Sequence, residues 1–286
     1  MTGSELRPGF VVTSSRSGPH RVAYLEWGSP TAARTVLCVH GLTGCARDFE
    51  VLAPALAGMG YRVVAVDMAG RGDSDWLADP KGYVTPKYVA DVHVLLGHLE
   101  VQEVDWIGTS MGGIIGMATA AGDGSPVRRL VLNDIGPFIP RAALQRLATY
   151  LRERPTFTDL DEAEARLRET RAPFGDLTDA QWRRMTERST RPSDGGYRLH
   201  YDPDIAVRFL ETADQDTDMW QLWDAIDCPV LVLRGEDSDL LLSDTAAEMG
   251  DRGPRATVVE VPDCGHPPPL LEPKQIELVT SWLGPC

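Results

Sequence analysis

Positive charge is what this sequence has least of. Lysine occurs only at Lys81, Lys87 and Lys274, 28 basic residues face 42 acidic ones, and the formal net charge is -14. A nucleic-acid partner needs clustered cations to neutralise phosphates, and no basic run occurs, so that class of partner is excluded. An anionic membrane surface is disfavoured for the same reason. The surplus of acid keeps a chain soluble and says nothing specific about chemistry. Plentiful Arg beside scarce Lys reads as the codon bias of a GC-rich genome.

Long apolar runs are missing too. No stretch approaches the roughly 20 apolar residues that span a bilayer. The opening MTGSELRPGF has no charged region followed by an apolar one, as a secretory leader would. A cytoplasmic location without a membrane partner is therefore expected. The five cysteines, Cys38, Cys45, Cys228, Cys264 and Cys286, are odd in number, far apart and without a CxxC pair, which gives neither a disulfide framework nor a zinc site. Disorder is excluded by a 43% hydrophobic content, and 286 residues suit one large domain or a domain carrying a sizeable insertion.

Short runs rich in Val, Ile and Leu are what the chain has in quantity. They recur at Thr35 to Val39, Tyr61 to Val66, Val104 to Ile107, Leu130 to Leu132, Val230 to Leu233 and Thr257 to Val261, each followed by a turn and a helical pattern. Runs that are continuous rather than alternating suit strands buried on both faces, hence a parallel sheet between helices. Gly9 to Thr13 and Arg21 to Trp27 alternate more and suit an antiparallel start. Asp48 to Met59, Lys87 to Leu99 and Glu272 to Leu283 carry helical spacing, the second opened by Thr85 as an N-cap with Pro86 at the first helical position.

From about Gly136 to Ile226 this rhythm stops. No strand is expected there, whereas Leu144, Leu147 and Leu151 have helical spacing and Thr178 to Gln181 has the spacing of a capping box. The segment holds ten of the twenty aromatic residues. They read first as the packing of a helical insertion and second as an apolar lid over a pocket.

Chemistry concentrates at Gly108-Thr109-Ser110-Met111-Gly112, between a buried strand and the helical stretch Gly113 to Ala121. A GxSxG run in that setting is a nucleophile elbow, a sharp turn that exposes the serine hydroxyl and leaves room only for glycine beside it. A hydroxyl needs a base, and the base needs an orienting carboxylate. His266, just after the last apolar strand, is the candidate base. His20, His93, His98 and His200 read as surface or packing residues. His40 opens the Gly-rich turn His40 to Gly44 and braces it, so that the Leu42 N–H joins the Met111 N–H as an oxyanion hole.

Three carboxylates compete for the remaining role. Asp239 in Asp239-Leu240-Leu241-Leu242-Ser243 is the first choice, Asp237 the second. Asp134 ends the strand Leu130 to Leu132 and reads chiefly as a turn former in Asn133 to Pro137.

These pieces, together with Asp67 to Asp75, Arg234 to Asp239 and Gly265-His266, resemble the α/β-hydrolase fold superfamily, in its serine esterase-like branch with a helical cap. The order Ser110, Asp239, His266 matches that family's order of nucleophile, acid and histidine. The resemblance implies an eight-stranded, mostly parallel sheet flanked by helices, with the cap inserted before the penultimate strands: a core of 1–136 and 227–286 and a cap of 137–226. It implies a Ser110–His266–Asp239 triad cleaving a small carboxylic ester, lactone or thioester through an acyl-enzyme, with no metal or organic cofactor. Serine at 110 speaks against the dehalogenase and epoxide hydrolase reactions of the fold, which use Asp. A C–C bond hydrolase, a cofactor-free perhydrolase and a ligand-sensing receptor remain as alternatives. Trp76 is left outside the site.

Overall fold

Apolar runs without alternation become strands covered on both faces. The computed structural model describes residues 6–286; the first five, part of the segment read for a leader, lie outside the described residues. The sheet begins with β1 (Arg7–Ser15), β2 (Gly18–Trp27), β3 (Thr35–Val39), β4 (Arg62–Val66), β5 (Val104–Thr109) and β6 (Val127–Asn133). The chain then leaves it for a long insertion holding short strands β7 (Phe138–Ile139), β8 (Thr156–Phe157), β9 (Thr190–Ser193), β10 (Gly196–Leu199) and β11 (Thr217–Asp218), and returns as β12 (Val230–Gly235) and β13 (Thr257–Val261).

Eight of these strands form the central sheet in the order β1-β2-β4-β3-β5-β6-β12-β13. Only β2 runs against the rest, pairing antiparallel with β1 and β4, while the pairs from β4 to β13 are parallel. Core helices are α1 (Leu52–Gly58), α2 (Thr85–His98) and α3 (Met111–Ala120); the insertion holds α4 (Arg141–Leu151), α5 (Leu160–Thr170), α6 (Asp179–Ser189), α7 (Ala206–Thr212) and α8 (Trp220–Asp224); α9 (Ser243–Asp251) and α10 (Pro273–Leu283) close the chain.

The period of two along a strand sorts the core into two layers. In β3, Leu37 and Val39 pack with Val92 and Leu95 of α2 and Ile115 of α3. Val36 and Cys38 face the other way, toward Leu52 and Leu56 of α1 and Val279 of α10. Each such fully buried aliphatic side chain stabilises the fold by roughly 1.5–3 kcal/mol. Because both faces are sealed, the ends of the strands are where a site can open.

Local signals behave as their physics requires, with two corrections. The capping box forms as expected, Thr178 and Gln181 exchanging bonds at the start of α6. Helix α2, however, starts one residue earlier than its N-cap reading: Thr85 is already helical and Val84 is the cap. The insertion is not free of strands either. An Asp194-Gly195 turn joins β9 to β10, with Gly195 at φ 81°, and β8 adds a third strand. Asp-Gly favours such a two-residue hairpin, and that signal was present in the sequence. Among the described residues no helix is long and apolar enough to cross a membrane.

Candidate active site

The turn after β5 is forced into shape by its neighbours. A Cβ on Gly112 would stand 2.0 Å from the Val39 carbonyl oxygen, and one on Gly108 would stand 2.4 Å from the Gly112 backbone. Only glycine lets α3 meet β3 and β5 so tightly. Between them Ser110 takes φ 51° and ψ -114°, a conformation L residues rarely adopt, at a cost of roughly 1–3 kcal/mol that the surrounding packing must hold.

That conformation presents Ser110 Oγ to His266, whose Nε2 lies 3.0 Å away. His266 as a residue is 7% exposed. Its Nδ1 stands 2.7 Å from Oδ2 of Asp134. Since a carboxylate only accepts, the proton of the ring sits on Nδ1 and Nε2 is free to take one from the serine hydroxyl.

Here the structure corrects the sequence reading. Asp239 does not approach His266; it is exposed and paired with Arg146 Nε and Nη2 at 2.5 and 2.8 Å. Asp237 is exposed as well. Asp134, at the end of β6, is fully buried and held at φ 56°, so the turn-forming conformation foreseen for it is what aims its carboxylate. The end of β12 and the loop after it contribute donors instead of an acid: the Gly235 N–H reaches Asp134 Oδ1 at 2.8 Å and the Ser238 hydroxyl reaches Oδ2 at 2.6 Å. With His266, these donors offset the cost of burying the charge.

The turn opened by His40 lies against the serine, since a Cβ on Gly41 would be 3.7 Å from that of Ser110. His40 Nδ1 donates to the Gly41 carbonyl at 2.7 Å and Nε2 accepts the Met68 N–H at 3.0 Å. Burial pushes His40 down to about 3, so the ring stays neutral and both bonds persist. The peptide whose carbonyl His40 holds is the one that carries the Leu42 N–H. Arg71, buried and missed in the sequence, donates Nε to the Leu42 carbonyl at 2.9 Å and Nη1 to Tyr88 at 2.6 Å. The internal bonds of both turns run elsewhere, from Gly44 N–H to Gly41 and from Gly113 and Ile114 N–H to Ser110. Met111 opens α3, where N–H groups lack helical partners.

Above these groups lies a cavity of about 370 Å³. Leu42, Ser110, His266 and Leu270 of the core form one wall, and Leu147, Tyr150, Phe174 and Tyr201 of the insertion form another. Its size is ordinary for a small-molecule site. Of the insertion's aromatic residues, Phe157, Trp182 and Trp223 are buried in packing, whereas Tyr150, Phe174 and Tyr201 border the cavity. Trp76 is apart from it, in a separate depression beside Arg191 and Arg198. Cys264 does not border the cavity, and burial raises its thiol to about 11.

A family model described as "alpha/beta hydrolase fold" matches residues 34–273. A 3-hydroxybutyrate-oligomer hydrolase of Cupriavidus necator is 46% identical over 285 residues, covering 96% of this chain and 97% of that protein. Among solved structures, a putative hydrolase from Rickettsia typhi superposes with a TM-score of 0.90 at 31% identity, covering 98% of each chain. An alpha/beta hydrolase from Novosphingobium aromaticivorans gives 0.84 at 36% identity, covering 98% of this chain and 97% of that one.

Proposed function

The chain belongs to the α/β-hydrolase fold family, and from that premise we propose that it is a serine hydrolase of carboxylic esters, with oligomeric esters of short 3-hydroxy acids as its substrates. The observation that carries the reading is the unbroken line from Ser110 Oγ through the His266 ring to Asp134 Oδ2, at 3.0 and 2.7 Å.

In this reading His266 Nε2 takes the hydroxyl proton as Ser110 Oγ attacks the ester carbon. Asp134 holds the ring in the tautomer that permits the transfer and stabilises the imidazolium. The carbonyl oxygen becomes an oxyanion between the Leu42 and Met111 N–H groups, each donor worth on the order of 100- to 1000-fold in rate. His266 returns the proton to the departing alcohol, leaving an acyl group on Ser110. A water then enters, His266 takes its proton, and the acid is released with Ser110 restored. The cycle requires neither metal nor organic cofactor.

Support for the substrate class is of two kinds. The Cupriavidus necator relative is named for hydrolysis of such oligomers and matches over nearly its whole length. The insertion, which we assign as a cap, lines the cavity with arginines and with apolar and aromatic side chains such as Leu147, Tyr150 and Phe174, and the latter suit the methyl-bearing carbons of a 3-hydroxyalkanoate ester.

The test is hydrolysis of a short p-nitrophenyl ester and of a 3-hydroxybutyrate trimer by the purified protein and by Ser110→Ala. Both substrates turning over in the wild type, and neither in a folded Ser110→Ala, is the expected result. Undiminished turnover in Ser110→Ala overturns the reading.

A further inference from the structure

Five arginines line the cavity, and four have carboxylate partners. Arg146 pairs with Asp239, Arg166 with Glu153 and Glu169, and both Arg184 and Arg188 with Glu50. Arg171 differs. Among the described residues it forms no ion pair; its Nη1 donates to Ser189 Oγ at 2.8 Å and its guanidinium stands 5.8 Å from the centre of the Phe174 ring.

A guanidinium carries five N–H donors in a fork suited to a carboxylate, and Arg171, part-buried at the cavity, spends only one of them on a neutral hydroxyl. Arg171 follows the last turn of α5, where a cation is favoured by the helix dipole. Its side chain is not spent there, however, because it reaches across to Ser189 instead of the α5 carbonyls. Asp48 also lines the cavity; its carboxylate accepts the Cys45 N–H at 3.1 Å and makes no ion pair with Arg171, although the Arg171 charge acts on it from a distance, opposing the upward push of its burial. The charge of Arg171 still reaches across the cavity, since it opposes the upward push that burial gives to Tyr150 and Tyr201.

Resting on the ester-hydrolase reading above, we propose that Arg171 is the anchor for a free carboxylate at one end of the substrate, so that the protein selects anionic hydroxy-acid esters. A hydroxy-acid oligomer carries one such carboxylate whatever its length. Holding it at Arg171 fixes which ester bond meets Ser110, because both residues border the same cavity. Cleavage then occurs at a constant register from the carboxyl end.

The experiment compares the free acid of a 3-hydroxybutyrate trimer with its methyl ester, in the wild type, Arg171→Gln, Arg171→Lys and Arg184→Gln, with thermal melting as the check on folding. In the wild type, kcat/KM favours the free acid by roughly 10- to 100-fold, the scale of hydrogen bonds to a charged group. Arg171→Gln brings that ratio close to unity, Arg171→Lys restores part of it, and Arg184→Gln, which removes an arginine already paired, keeps it. Equal rates on both substrates in the wild type, or the same loss of preference in Arg184→Gln, overturn the anchor while leaving ester hydrolysis standing. Hydrolysis of neither substrate by the wild type sinks both the anchor and the reading beneath it.

Discussion

Asp134 and His266 are 132 residues apart in sequence and 2.7 Å apart at Oδ2 and Nδ1. The acid that serves the histidine therefore comes from the end of β6, and the end of β12 with the loop after it serves the acid through Gly235 and Ser238. Asp134→Asn keeps the shape but presents an amide, which can donate to Nδ1 and favours the wrong tautomer. Its kcat is expected to fall roughly 10,000-fold on a p-nitrophenyl ester. Asp239→Asn, which disturbs only a half-exposed pair with Arg146, stays within a few fold of the wild type. Steady-state kinetics on the two variants decide the matter, and a severe loss at Asp239 with a mild one at Asp134 contradicts the assignment.

Why the acid was hard to read has a physical cause. Strands β6 and β12 are neighbours, so carboxylates following either one reach the same sheet edge. Sequence cannot separate them; burial does, with Asp134 fully enclosed and Asp239 exposed. Ser110 and His266 were legible because each follows an apolar strand in a run with distinct backbone demands. Six of the eight sheet strands were legible through continuous apolar runs, and β1 and β2 through their alternation. By contrast, β8 and β11 have two residues each, too short for any period. The direction of a side chain such as Arg171 depends on how the helices of the insertion pack, which periodicity does not encode.

His40 should act on rate more than on binding. It holds the Gly41 carbonyl and thereby the orientation of the Leu42 N–H, without touching substrate. His40→Ala is expected to lower kcat by roughly 10- to 1000-fold with KM little changed, approaching the loss of one oxyanion donor. His40→Gln, able to donate as well as accept, recovers part of it. A rise in KM at constant kcat, or equal kcat losses in both variants, assigns His40 a packing role only.

The elbow glycines should resist enlargement. Gly112→Ala places a methyl 2.0 Å from the Val39 carbonyl, so α3 must move away from the end of β3. A stability loss of roughly 1–3 kcal/mol or more is expected, together with lost activity. Urea denaturation measures the first, and an unchanged midpoint refutes the packing described for the turn.

Stability in acid has two opposed contributions. Burial raises Asp67 from 3.8 to about 6, against the N–H bonds from Ala46 and Asp73, so the folded state binds that proton more tightly than the unfolded chain. Its contribution is complete below 3.8 and is lost as the pH rises through 6, a difference on the order of 3 kcal/mol. His40, lowered from 6.5 to about 3, works in the other direction: its contribution is present above 6.5 and is lost as the pH falls toward 3. Asp67→Asn removes only the first. Denaturation across this range should show the wild type gaining on the variant as the pH falls from 6 to 3.8, and a gap that narrows instead contradicts the direction given for Asp67.

The central claim, that Ser110 is the nucleophile of a Ser110–His266–Asp134 relay, is tested most directly by mass analysis after exposure to diethyl p-nitrophenyl phosphate. Ser110 Oγ displaces nitrophenolate and keeps the diethylphosphoryl group. The account predicts a single adduct on the peptide bearing Ser110, loss of ester hydrolysis in step with it, no adduct in Ser110→Ala and slow labelling in Asp134→Asn. An adduct on another residue, or full ester hydrolysis by protein whose Ser110 is completely modified, would contradict it.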